Sequence, residues 1–518
     1  MSRTSSSIKN FTTAFIGQTC AISISLLSRI IFLRNLNKEY LGLNGLFSNI
    51  LTIFSLIELG IGPAMNFSLY KPLASHNISQ IKSLMLLYKK AYILIGCIIA
   101  IISFLFTPFY SFFLDETPNI PNLTLIYWLF CLNTIISYFF SYKRSLIICD
   151  EKRYVATIYR YGFFFLMNIA QILILILTQN YILYLVIQIF FTFAENIAIS
   201  LKSNKMYPYL KEKSNVSVSK ETTVEIKKNI FAMLMHKIGG MIVNSTDNLI
   251  LSKYVGLAAV GVYSNYNLIT DAVNRIMSQI FLSVTASIGN MNALCTEKNL
   301  AKLEKTFDKM FFLNFWVYGF CSCCIWILSN PFISLWLGSS FLFDHFVVFV
   351  ITLNFYITGM RKSALTFREA TGAFYYDRWK PIFESIINIV ASIILAKKLG
   401  TAGVFLGTII STLSTCIWVE PYILYKHIFQ KSARKYAFHF ILYTVLSLAA
   451  CALTSFLVSC LTISNVLLSF ICKCLLCLTI PNLLFLICFY KTEHFQFFIH
   501  LLYSIIERLF AKFKRSHI

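Results

Sequence analysis

About 14 stretches of the chain are apolar over 18 residues or more, long enough at about 1.5 Å per residue to cross a bilayer core about 30 Å thick. They cover 11–33, 41–69, 84–107, 123–149, 157–178, 181–201, 229–252, 257–291, 310–329, 343–368, 381–399, 402–426, 437–459 and 465–490. The connections are short and polar; "TQNY" (Thr178–Tyr181) alone separates the fifth from the sixth. The pattern predicts an all-α polytopic membrane protein with about 14 transmembrane helices. The first run continues to Leu33 with no small-x-small site behind it, so it reads as a retained helix and not as a cleaved signal.

Composition agrees: 57% of residues are apolar and 13% charged, where a soluble domain has about a quarter charged. The formal net charge of +23 would point to nucleic acid in a soluble protein. Here the cations lie between apolar runs, which points to topology and to anionic lipids as partners and away from nucleic acid. With a cytoplasmic N-terminus, about 36 of the 45 Lys and Arg fall in inner segments, and about five (Arg34, Lys38, Lys253, Lys397, Lys398) in outer ones. The outer loops 108–122 and 330–344 contain neither residue. Both termini are therefore expected on the cytoplasmic side.

One phrase is written twice. "EYLGLNGLFSN" (39–49) precedes the second span, and "KYVGLAAVGVYSN" (253–265) precedes the eighth. A second match follows each: "ISQIKSLMLLYKK" from Ile78 and "LAKLEKTFDKMFF" from Leu300, both read as short amphipathic cytoplasmic helices. Six spans lie between the copies, so a duplication would be parallel, about an axis along the membrane normal. Chance similarity between apolar segments is the alternative. Duplication predicts a lobe at 1–201 (spans 1–6), a cytoplasmic linker at 202–228, a second lobe at 229–430 (spans 7–12), two extra spans in 431–490 and a basic amphipathic tail, 491–518, lying on the membrane surface. Two similar lobes suggest a transporter with alternating access.

Ionisable groups inside spans are costly and are candidates for function. Arg29 lies in span 1, Glu58 in span 2, Lys237 and Asp247 in span 7, and Asp271 and Arg275 in span 8. Asp271 and Arg275 are one helical turn apart, so they are either a self-neutralising pair or a cavity cation with its positioning partner. Arg29 either faces a cavity or snorkels to the headgroups. Glu195, Glu384 and Glu420 lie near span ends or beside basic residues and are expected to be partnered. Pro63 breaks span 2 and offers a hinge. Gly239 and Gly240 would permit close approach beside Lys237. "CSCC" (321–324) and "CKCLLC" (472–477) have metal-like spacing, but neither has a His or a second Cys pair nearby in sequence, so both read as small apolar residues. No phosphate loop, HExxH, GxSxG or carboxylate pair stands out, so neither an enzyme nor a cofactor is expected.

Three stretches, "EYLGLNGLFSNILTIFSLIELGIGPAMNFSLYKPLA", "MHKIGGMIVNSTDNLILSKYVGLAAVGVYSNYNLI" and "YITGMRKSALTFREATGAFYYDRWKP", resemble bacterial polysaccharide flippases of the Wzx type. These belong to the multidrug/oligosaccharidyl-lipid/polysaccharide exporter superfamily, with lipid II flippases and MATE antiporters as relatives. The resemblance implies two six-helix bundles with two extra helices, in the bacterial cytoplasmic membrane. It also implies transport of undecaprenyl-pyrophosphate-linked oligosaccharide to the outer leaflet, with a polysaccharide polymerase and glycosyltransferases as functional partners. Family members line a central cavity with cations, including arginines on helices 1 and 8. Arg29 and Arg275 lie on those helices here, with Lys237 a third cation, whereas acidic groups such as Glu58, Asp247 and Asp271 would serve ion coupling. A multidrug or cation antiporter of MATE-related type is the competing function.

Overall fold

The structure is a computed structural model, and its described residues are 3–58, 61–114, 120–150, 152–211, 245–293, 297–371, 373, 376–377, 379–500 and 503. Every extended element among them is a helix, as a lipid environment requires of a chain that must satisfy its own backbone. The order is α1 (Arg3–Asn35), α2 (Lys38–Phe54), α3 (Ile61–Ala74), α4 (Ile78–Phe106), α5 (Leu123–Cys149), α6 (Arg153–Thr178) and α7 (Tyr181–Met206). After the linker come α8 (245–254), α9 (Leu257–Ala293), α10 (Glu297–Leu337), α11 (His345–Met360), α12 (Lys362–Thr371), α13 (Lys380–Ser411), α14 (Ile417–Ile423), α15 (Arg434–Ser459), α16 (Val466–Phe489) and α17 (493–500). The protein is an all-α, multi-pass membrane protein.

Eight helices among the described residues are long and apolar enough to cross a membrane, nine if α5, bent by 46°, counts as one. The shortfall from the expected 14 has local causes. Span 7 falls largely in 212–244, outside the described residues, as do Lys237, Gly239, Gly240 and most of the linker. Span 2 is divided into α2, a 3-10 turn at Ser55–Glu58, and α3. Pro63 is the third residue of α3, where its missing N–H costs nothing because first-turn donors have no helical partner. Span 10 is divided at Arg361 into α11 and α12. Spans 11 and 12 run together through α13, kinked at Gly400 (φ +56°), into α14, which has a π-turn on either side. The two expected short amphipathic helices are instead the opening turns of α4 and α10, because no Gly or Pro separates either amphipathic stretch from the start of the apolar run behind it.

The chain forms two compact units: 1–264 with 392–404, and 265–391 with 405–518. In the first, Phe47 of α2 is met edge-on by Tyr127 (5.5 Å) and Phe130 (5.7 Å) of α5. In the second, Phe307, Phe311 and Phe315 recur every turn of α10 and carry Tyr436 and Tyr443 of α15, with Phe315 stacked 4.3 Å from Tyr443. The high Phe and Tyr content thus builds interior ring contacts.

The repeated phrase packs against itself within the first unit. A Cβ on Gly42 would stand 2.1 Å from the Leu257 carbonyl oxygen, and one on Gly261 would stand 2.2 Å from that of Lys38. Only glycine lets these backbones approach so closely. The two copies nevertheless fold differently. Gly42 is inside α2, whereas Gly256, its counterpart, terminates α8 at φ +112° with its N–H bonded to the Leu251 carbonyl.

Candidate functional site

In the first unit α1 presents Ser25, Ser28, Arg29 and Phe32 to a cavity of about 260 Å³. Their spacing, i, i+3, i+4, i+7, is one helical face. α6 answers with Phe164, Met167, Asn168 and Gln171, the same spacing again. Tyr184 and Gln188 of α7 and Leu41 and Asn44 of α2 close it. The lining therefore combines one cation, four amide side chains and two phenyl rings.

Internal hydrogen bonds hold the wall in place. Asn168 Nδ2 donates to the Phe164 carbonyl (2.8 Å), Gln171 Nε2 to the Tyr184 carbonyl (3.2 Å), and the Tyr181 hydroxyl to Asn44 Oδ1 (3.1 Å). Arg29 Nη1 donates to Ser264 Oγ (2.9 Å), which donates onward to the Gly261 carbonyl (2.7 Å). Ser264 belongs to the second copy of the repeated phrase, so the self-packing of that phrase also seats the arginine. No carboxylate among the described residues pairs with Arg29. A guanidinium that spends one donor on a neutral hydroxyl retains most of its five N–H groups for an anion.

The other expected residues occupy separate places. Glu58 ends the 3-10 turn at the break in span 2, where the Tyr92 hydroxyl donates to its Oε1 at 2.6 Å. The Tyr88 hydroxyl lies 3.1 Å from Ser145 Oγ and 3.4 Å from the Gly62 carbonyl, extending this polar cluster. Asp247 is half-buried in α8. In the second unit Asp271 accepts from Asn267 Nδ2 (3.2 Å), while Arg275 is exposed. Lys362 donates to the Asn274 carbonyl (3.2 Å) and to Ser278 Oγ (2.7 Å) on α9.

Sequence reasoning did not assemble the buried charge network of the second unit. Arg361, at the α11–α12 break, donates Nη2 to Glu420 Oε1 (2.8 Å) and Nε to Oε2 (3.2 Å), and its Nη1 reaches Glu384 (3.4 Å). Lys380 pairs with Glu420 and with Glu384 (3.3 Å). Arg368 pairs with Asp377 at 2.5 Å. Three cations face three carboxylates, so the cluster is formally neutral. Glu420 is completely buried between the two π-turns. The expected partnering of Glu195, Glu384 and Glu420 is present, with Glu195 on Arg144 (2.5 Å). The amide face of the Arg29 cavity was also missed, although its signal, Asn168 and Gln171 on one stripe of an otherwise apolar helix, is visible in the sequence.

Among solved structures the chain is similar to the lipid II flippase MurJ in an inward closed conformation, with a TM-score of 0.66 and 15% identity over 92% of this chain and 99% of that one. It is similar to an inward-facing multidrug resistance MATE family transporter of the MOP superfamily, TM-score 0.60, 16% identity, covering 79% and 94%. It is also similar to the Vibrio cholerae MATE transporter VcmN, TM-score 0.54, 12% identity, covering 84% and 98%. No protein-family model matches the chain, and no characterised protein is significantly similar to it in sequence. The fold is the one these transporters share.

Proposed function

We propose that the protein is a flippase that moves undecaprenyl-pyrophosphate-linked oligosaccharide from the inner to the outer leaflet by alternating access, with 14 spans and both termini cytoplasmic in a bacterial inner membrane. The observation that carries this reading is the Arg29 cavity. Amide side chains offer a donor and an acceptor together, which matches sugar hydroxyls, and aromatic rings cover the apolar faces of a sugar. The uncommitted guanidinium suits a phosphate, which it can bind bidentately. A multidrug site would need apolar walls and a carboxylate, and this cavity has no carboxylate. In the proposal Arg29, Lys237 and Arg275 are the cations that receive the pyrophosphate. Glycosyltransferases and a polymerase would stand before and after this step.

The test is complementation of a flippase-deficient strain, scored by surface polysaccharide. Each charge-assisted hydrogen bond is worth about 1.5–3 kcal/mol. Arg29→Ala and Arg275→Ala are therefore expected to cut export about tenfold or more at normal protein level. Arg29→Lys retains part of it. Full export by the double alanine variant refutes the site.

The MATE-like antiporter keeps one observation in its favour, the Glu58–Tyr92 hydrogen bond at a helix break. Efflux of a cationic dye that is abolished by Glu58→Gln and untouched by Arg29→Ala would select that function.

A further inference from the structure

Arg29 reaches the cavity from α1, and its guanidinium is tied at one point. Nη1 donates to Ser264 Oγ at 2.9 Å, and no second hydrogen bond from the guanidinium is formed among the described residues. Ser264 has one proton, and it is spent on the Gly261 carbonyl at 2.7 Å, one turn back along α9. Towards Arg29 the hydroxyl can therefore only accept. The contact has a fixed polarity, and Ser264 has no donor left to offer an anion.

Backbone packing fixes where Ser264 stands. Gly261 lies against the Lys38 carbonyl, and Gly42 against that of Leu257, both closer than a side chain would allow. These two contacts clamp the start of α9 to the start of α2, and α2 begins just after α1 ends. Ser264 lies three residues beyond Gly261 and is carried by that clamp. A guanidinium has two edges that can hold an oxyanion through parallel N–H bonds, Nη1–Nη2 and Nε–Nη2. With Nη1 engaged by Ser264, the Nε–Nη2 edge is the one whose donors are all free.

On the reading of this cavity as the site for the pyrophosphate, we propose that Ser264 is a positioning residue. By holding Nη1 it turns the Nε–Nη2 edge of Arg29 to the cavity, so that a phosphate-type oxyanion is taken through two of its oxygens at once. Two parallel bonds fix both the place and the orientation of the anion, which the point charge of a lysine does not. Ser264 acts through Arg29 and makes no bond to the ligand itself.

Farnesyl diphosphate is the probe, titrated by calorimetry into the purified full-length protein in detergent. Ser264→Thr and Ser264→Val have nearly the same shape, so the pair separates the hydroxyl from its volume. Ser264→Thr is expected to bind within about twofold of wild type, and Ser264→Val about tenfold more weakly. Where Ser264→Val does not accumulate, Ser264→Ala takes its place. Arg29→Lys is expected to bind about tenfold more weakly, and in that background Ser264→Val should add little, because no edge is left to orient. Wild-type affinity in Ser264→Val overturns the proposal. So does an equal loss in Ser264→Thr and Ser264→Val, or a loss by Ser264→Val that adds in full to that of Arg29→Lys. Arg29→Ala separates this proposal from the cavity reading on which it stands. If Arg29→Ala binds the diphosphate as wild type does, both fall. If Arg29→Ala loses binding and Ser264→Val does not, the cavity remains the anion site and the role of Ser264 alone is refuted.

Discussion

Glu420→Gln is the most informative perturbation of the buried charge network. The substitution preserves shape and removes one negative charge from a completely buried position. Glu420 is the shared partner of Arg361 (2.8 Å) and Lys380, with Arg368 at 3.7 Å. At 2.8 Å and an effective dielectric near 20, the Arg361 contact alone is worth about 6 kcal/mol before desolvation. Glu384, 3.4 Å from Arg361 and 3.3 Å from Lys380, takes up part of the loss. The expected net destabilisation is about 3–5 kcal/mol, the cost of leaving a buried charge uncompensated. Heating in detergent followed by fluorescence-detected size exclusion measures it. The control is the double variant Glu420→Gln/Lys380→Met, which restores neutrality with Arg361 and Arg368 facing Glu384 and Asp377. It should recover a large share of the lost stability, a coupling that a double-mutant cycle reads directly. If Glu420→Gln is as stable as wild type, or if the double variant is the sum of its singles, the network does not act as a charge-balanced unit.

Gly42→Ala should lose about 1–3 kcal/mol or fail to accumulate, because its methyl would meet the Leu257 backbone. Gly162→Ala, with nothing within 4 Å of the new methyl, should gain up to about 1 kcal/mol in the same melting assay. Single cysteines at Ser214 and Ser339 in a Cys-free background should label oppositely with an impermeant reagent in intact cells; labelling of Ser214→Cys from outside refutes the orientation. Deleting 495–518 removes Phe495 and Phe498, which stack on Trp316 and Phe312, and Phe497 beneath Lys309 (3.8 Å). It should lower the melting temperature and abundance while leaving transport per molecule intact, and a truncated chain as stable as the full one counts against the docked tail.

What the sequence determined by itself is the class of fold and the places where helices run. Apolar length and the sidedness of cations depend only on local composition, and a helix satisfies its backbone within its own segment. The stripe that carries Arg29 is legible for the same reason, since helical periodicity is a local property. Two features needed the tertiary structure. The break of span 10 at Arg361 follows from a partner 59 residues away, Glu420, which holds that side chain in the interior. The two copies of the repeated phrase differ in conformation because each is half of one close contact, with Gly42 against Leu257 and Gly261 against Lys38. In each case the energy lies between groups remote in sequence, in a buried medium where charge and volume count only once the helices have packed.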